Sequence, residues 1–312
     1  MKKRFASLLA ILFSIASFSN FLMSCNDKDK SKEQTGISSP FKSPFKPGNT
    51  VKTRYEVPDG FHRVQTEPGS FEEHLQNLPL KPEGYLTHLY DGSEKNRKVS
   101  TSVIDMDIDP ANLQQCADAI IRLRAEYLYK TRQFDKIHFN FTNGFRCDYI
   151  KWAQGYRIKT EGNHTSWYRK ETAEDFSYPT FREYLLKVFE YAGTASLAGE
   201  LQEISRSEMN VGTIIVQPGF PGHAVIVVDM IVPDDSLNLY RGEGVLLAQS
   251  YMPAQEIEIL KGYDDELGMF SDTSDPDRFN KMWSPTRHKD ENQGFFTAEY
   301  CFKNPKFMKF KK

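Results

Sequence analysis

Thr213–Asp229 reads TIIVQPGFPGHAVIVVD, and its interpretation decides the fold. Ile214-Ile215-Val216 is a short branched run, and the Gln217-Pro218-Gly219-Phe220-Pro221-Gly222 that follows carries two Pro-Gly steps, which predict a hairpin connection. Ala224–Val228 is apolar at every position, the pattern of a strand buried on both faces in mid-sheet. His223 stands at its entrance, held between a glycine that admits other backbone and a strand that cannot move. A histidine so placed is ordinarily structural, its ring bonded to a nearby carbonyl. With suitable partners it is a general base.

Toward the amino end, Thr180–Glu203 has the apolar spacing of a helix, broken around Ala192-Gly193-Thr194 and resumed as Ala195–Ile204. Ser166–Pro179 is polar and aromatic and reads as a loop. Lys136–Phe141 alternates as a half-buried strand, and so does Val99–Ile108. Between them Asp109 as N-cap, Pro110 in the first turn and Leu113, Cys116, Ile120, Leu123 and Tyr127 predict a helix with Cys116 in the core. Asp105 and Asp107 share a strand face, more simply a solvated face than an acid/base pair. Toward the carboxyl end, Val245–Ser250 and Gln255–Leu260 read as strands, Asp264–Asp290 as a loop and Phe295–Phe302 as a last strand. The ending PKFMKFKK reads as a frayed basic tail.

The 312 residues carry 40 basic and 42 acidic side chains, so the charge balance implies no nucleic-acid partner. Met1-Lys2-Lys3-Arg4 followed by the apolar Leu8–Phe18 is an export signal, too short to span a membrane comfortably. It ends in Leu22-Met23-Ser24-Cys25, which resembles the bacterial lipobox. That resemblance implies a signal peptide over residues 1–24, acylation of Cys25, and a protein anchored in the cell envelope with the membrane as a partner. Residues 25–53, rich in Lys, Ser and Pro with a doubled Ser-Pro-Phe-Lys, read as a disordered tether. Residues 54–312 form one globular domain.

No CxxC or Cys/His spacing suggests a metal, and no cofactor motif is present. Cys147 follows the Asn143-Gly144 turn and has two readings. It either sits near a helix amino end, where the dipole activates a thiol, or lies on a returning hairpin strand as a small hydrophobe. Trp152, Arg157, Trp167 and Tyr178 are candidates for a cleft that stacks on sugar or peptide.

Two helices, a Val-Gly-Thr-Ile-Ile-Val strand, Gly222-His223 opening the next strand, and Val245–Ser250 together resemble the carboxyl half of NlpC/P60-type peptidases. The resemblance implies an α+β, papain-like antiparallel sheet packed against helices, here with an amino-terminal strand-helix-strand extension. It makes His223 the general base and Gln249 the residue that orients it. The family's cysteine has no counterpart, because the matching helix opens at Asp175-Phe176-Ser177-Tyr178-Pro179. The nucleophile is then Cys147 or Ser177, or the fold is kept without the reaction.

A resemblance covering most of the chain is to the envelope lipoprotein family known as domain of unknown function 4846. It is carried by Trp152–Arg157, Val188–Leu197, Pro221–Asp229 and Leu247–Gln255. Two accounts follow. One is an amidase or peptidase acting on peptidoglycan stem peptides or another amide. The other is a non-catalytic peptide- or glycan-binding module of the same fold. A third, purely structural role would show an apolar surface patch and no cleft.

Overall fold

The structure is a computed structural model that describes residues 49–170, 172–234, 243–264, 269–270, 283–285 and 294–311. The export signal, Cys25 and the tether up to residue 48 lie outside the described residues, as does most of the 264–290 loop. The helices are α1 (Val51–Arg54), α2 (Phe71–Gln76), α3 (Cys116–Lys130), α4 (Tyr149–Ala153), α5 (Tyr178–Tyr191) and α6 (Thr194–Glu200). The strands of the first half are β1 (Phe61–Arg63), β2 (Ser100–Val103), β3 (His138–Asn140), β4 (Arg146–Asp148), β5 (Tyr156–Glu161), β6 (His164–Arg169) and β7 (Gln202–Ile204). Then come β8 (Ile214–Gln217), β9 (His223–Pro233), β10 (Gly244–Gln249), β11 (Glu258–Leu260), β12 (Tyr263–Asp264), β13 (Met269–Phe270) and β14 (Ser284–Pro285). β15 (Phe295–Phe296), β16 (Cys301–Phe302) and β17 (Lys306–Lys309) end the chain.

Among the described residues these form an α+β fold around a nine-stranded sheet ordered β2-β11-β10-β9-β8-β17-β7, in which β1 also pairs with β9 and β14 with β10. The pairings are antiparallel. β8 and β9 form the hairpin that the Pro-Gly steps predict, closed by Gln217 opposite His223. Gly222 is required there by close approach, since a Cβ on it would run into the Gly219 carbonyl and the Thr194 hydroxyl. Ala224–Val228 are fully buried, as an unbroken apolar run on a central strand must be.

Side chains alternate along β9 and β10, and a bulge opposite Leu246 and Leu247 shifts the alternation once. The register therefore sorts the sheet into two faces. One carries Ala224, Ile226 and Asp229 with Leu246, Ala248 and Ser250. Helices cover it: Gln76 of α2 donates to Asp229 at 2.8 Å, and Ser250 donates to the Gln114 carbonyl just ahead of α3 at 2.8 Å. The other face carries His223, Val225 and Val227 with Leu247 and Gln249. The β15–β16 hairpin covers it, with Phe295 packed on Phe307 of β17 and Tyr300 bonded to Gln217.

Several expectations need correction. β2 and α3 are not part of an appended strand-helix-strand unit: β2 is an edge strand of the main sheet, α3 covers that sheet, and only β3 stands apart, paired with β4. α3 begins at Cys116 rather than near Asp109, because the polar groups ahead of it bond elsewhere. Asp109 binds Arg182, the Asn112 side chain accepts from the Ala254 N–H at 2.7 Å, and the Gln114 side chain accepts from Arg122 at 2.6 Å. Asp105 and Asp107 do not share a strand face; they pair with Lys81 and with Arg122 and Arg182 respectively. Ser166–Arg169 is strand, because β5 and β6 form a hairpin. Asn49–Thr53, placed in the tether, is folded, with Val51 fully buried and bonded to the Leu78 carbonyl.

The carboxyl end is also not frayed. β17 lies between β8 and β7, with Phe307 and Met308 buried, so the last strand in the chain closes the sheet. Its sequence hides this because two buried residues flanked by lysines are too short a pattern to separate from a tail. Phe307→Ala is expected to destabilise the protein by about 3 kcal/mol, read by chemical denaturation. A change below about 0.5 kcal/mol, the level of an ordinary surface substitution, would put β17 outside the core.

Candidate functional site

His223 is set by the hairpin turn at the first position of β9, and only 2% of it is exposed. Its Nε2 lies 2.8 Å from Gln249 Oε1 at the end of β10, the partnership the sequence suggests. Gln249 is itself held from beyond. Its Nε2 donates to Glu258 at 3.1 Å and to Glu299 at 2.7 Å. Lys95 donates to the same two carboxylates, at 2.6 and 2.5 Å, and Thr87 donates to Glu258 at 2.8 Å. His223, Gln249, Glu258, Lys95 and Thr87 are buried, and Glu299 is partly exposed with its side chain turned in.

The network decides a proton. Two carboxylates can only accept, so the amide of Gln249 must present its NH2 to them and its oxygen to the ring. The ring nitrogen facing that oxygen must donate, so His223 carries its hydrogen on Nε2 and leaves Nδ1 bare. In isolation that is the tautomer of a poised base. Burial, however, pushes the imidazole down to about 4, with Lys95 acting in the same direction and the Gln249 bond opposing both. Three aromatic rings wall it in: Tyr300 at 4.6 Å, Tyr251 at 4.9 Å and Phe302 at 5.6 Å between centroids. Burial likewise raises Glu299 above the usual carboxylate range, against the pull of Lys95.

Cys116, which the sequence reading assigns to the core, meets the backbone of the residue next to His223. It opens α3 and is partly exposed, and the Ala224 N–H acts as a hydrogen-bond donor toward its sulfur. Burial and then the Asp118 carboxylate outweigh that donor and push the thiol up to about 11. Asp118 is itself raised to about 8 by burial. Cys116 opens the helix that packs over Ser250, yet its sulfur meets the Ala224 N–H beside His223 and lies close enough to Tyr251, whose ring packs on His223 at 4.9 Å, to act on that hydroxyl. Among the described residues, the ring's hydrogen-bond partner is Gln249, and no thiol or Ser/Thr hydroxyl bonds to it.

Neither sequence-predicted nucleophile joins His223. Cys147 lies on β4, the returning strand of the Asn143-Gly144 hairpin, and is fully buried. Burial pushes its thiol far up; the groups around it are Asp148, Tyr184, Lys187 and Glu200, none of them in the His223 cluster. Ser177 is the exposed residue ahead of α5, and its hydroxyl donates to Asp175 at 3.0 Å. Of the four cleft candidates, Trp152 and Arg157 meet, while Trp167 and Tyr178 pack on other residues. Trp152 is buried under the Arg157 guanidinium at 4.3 Å, Trp167 packs on Phe145 at 5.5 Å, and Tyr178 donates to Glu126 at 2.8 Å where α3 meets α5.

The sequence profile of the family described as domain of unknown function 4846 matches residues 51–308. The chain belongs to that family. No curated protein and no solved structure matches it. Every member of the buried cluster, from Lys95 to Glu299, falls within the span matched to domain of unknown function 4846. Of these, Glu258 had a sequence signal, because Glu256-Ile257-Glu258-Ile259 sets a charge at alternate positions of an otherwise buried strand. Lys95, inside the charged run Glu94–Lys98, and Glu299 had none.

Since the folded imidazole value, about 4, lies below the free one, unfolding takes up a proton as pH falls from about 6.5 toward 4. The stability His223 contributes is complete above that window and lost within it, by about 3 kcal/mol. Raised carboxylates such as Asp118 act with the opposite sign, so the readout is the difference between the parent and His223→Gln across pH 4–7; identical slopes would contradict the buried neutral ring. Lys95→Met leaves two buried carboxylates without a counter-charge and should cost about 3–5 kcal/mol. Adding Glu299→Gln should recover part of that loss in a denaturation series, and no recovery would separate the two residues energetically.

Proposed function

We propose that this chain is a lipid-anchored envelope protein that holds a peptide or glycan ligand without covalent turnover. The anchor is Cys25, following the Leu22-Met23-Ser24-Cys25 signal. Among the described residues no helix is long and apolar enough to cross a membrane, so a lipid at Cys25 is the attachment this reading supplies. The observation that carries the non-catalytic half is the ring's partner: among the described residues it is Gln249, and no thiol or Ser/Thr hydroxyl bonds to it. A thiol attacks an amide only if a base can take its proton at hydrogen-bond range. Here the Cys116 sulfur takes the Ala224 N–H, while the His223 ring bonds Gln249 under three aromatic rings. At neutral pH both groups are uncharged, so no thiolate–imidazolium pair rests in the site.

The papain-like amidase reading keeps one observation in its favour: Cys116 opens a 15-residue helix with a backbone N–H directed at its sulfur. The two readings separate cleanly. Mass-resolved alkylation of Cys116 by iodoacetamide should rise steadily as pH climbs from 7 toward the thiol value of about 11, with His223→Gln leaving the profile in place. The parent should release no product from muropeptides or a panel of amides. A neutral-pH alkylation plateau together with turnover lost in both Cys116→Ala and His223→Gln would overturn the binding reading and install the hydrolase.

A further inference from the structure

Two turns leave the sheet at the same end. The β8–β9 turn spans Pro218–Gly222, and β10 runs out through Tyr251-Met252-Pro253, with Tyr251 packed against His223 at 4.9 Å. Because β9 and β10 are antiparallel neighbours, the start of one and the end of the other lie at the same end of the sheet, and Phe220 and Met252 extend from them there. Phe220 is 98% exposed and Met252 61%, the two most exposed large apolar side chains among the described residues. Gly219, Pro221 and Pro253 beside them are exposed too. Neither tip contains a charged residue, in a chain of which 26% is charged.

Placing such side chains in water is costly, and a rim of this kind marks an interaction surface. Its shape selects the partner. A protein partner needs a complementary surface of many residues a side. Two protruding uncharged tips with an amphipathic tyrosine behind them instead fit a fluid apolar phase, which needs no matching shape. A membrane is also close at hand on the reading that Cys25 is acylated, on which this inference rests. Only residues 25–48 lie between that anchor and the first described residue, Asn49, so the bilayer is the apolar phase within reach of the domain.

We infer that Phe220 and Met252 dip into the apolar edge of a phospholipid bilayer and orient the anchored domain with this end of the sheet toward the lipid.

The test uses the processed chain beginning at residue 25 and carrying Cys25→Ser, so that no lipid is attached, with phosphatidylethanolamine/phosphatidylglycerol vesicles in a flotation assay. Binding is expected, undiminished by raising salt from 0.1 to 0.5 M because the tips are uncharged. Phe220→Ser should lower the bound-to-free ratio about tenfold and the double change with Met252→Ser further, with thermal stability unchanged. Phe220→Trp should shift its emission to the blue and be quenched by brominated lipid. Absence of binding, or binding that survives both serine substitutions, would overturn the inference. So would self-association abolished by Phe220→Ser, which would assign the tips to a second copy of the chain. Acylation is read separately, by the mass of the protein extracted from cells, so failure of the anchor and failure of the insertion are distinguishable.

Discussion

Side chains on a strand point alternately to opposite faces, and this two-residue period of β9 governs the rest of the molecule. Because His223 opens the strand, its ring is committed to the face covered by the β15–β16 hairpin. Its neighbour Ala224 is committed to the face that α3 covers. No rotamer of either side chain undoes that division, since a one-residue slip would turn the whole apolar set of β9 inside out. The consequence reaches the chemistry. A histidine, an orienting amide and a cysteine at a helix amino end are all present, yet no hydrogen bond joins the thiol to the ring, which is bonded to Gln249.

Each face of β9 also carries one buried polar network, and the two fasten different layers. On the helix-covered face Asp229 accepts from Arg63 at 2.7 Å and from Gln76 at 2.8 Å, tying β1 and α2 to the sheet. On the other, Gln249 and Lys95 share Glu258 and Glu299, tying the 87–95 segment and the β15–β16 hairpin to β10 and β11. Burying these charges is tolerable only because each meets a partner. The second network also dictates which nitrogen of His223 carries its hydrogen, so structural fastening and imidazole chemistry are set by the same contacts.

Much of the central sheet was legible in local pattern. The Pro-Gly turn, the unbroken apolar run of Ala224–Val228 and the alternation of Lys136–Phe141 each depend on neighbours a few residues away, and each took the form its pattern implies. The partnership of His223 with Gln249 was suggested by resemblance to a known peptidase family rather than by local pattern, and the two side chains do bond. The start of α3 was not legible, because Asp109, Asn112 and Gln114 bond to residues remote in the chain and so leave the helix to begin at Cys116. β17 was not either, its place between β8 and β7 being set by partners about ninety and one hundred residues away.

The sequence by itself determined the central hairpin, its buried strand and the residue at that strand's mouth, because those are consequences of periodicity and turn chemistry. Only the tertiary structure decided on which side of the sheet each reactive group lies. That depends on strand register, a bulge in β9 and the layer that packs on each face, none of which short-range pattern encodes. Hence Cys147 and Ser177, plausible nucleophiles by position, lie in a buried hairpin and an exposed turn. Lys95 and Glu299, unremarked in the sequence, hold the amide that holds the imidazole.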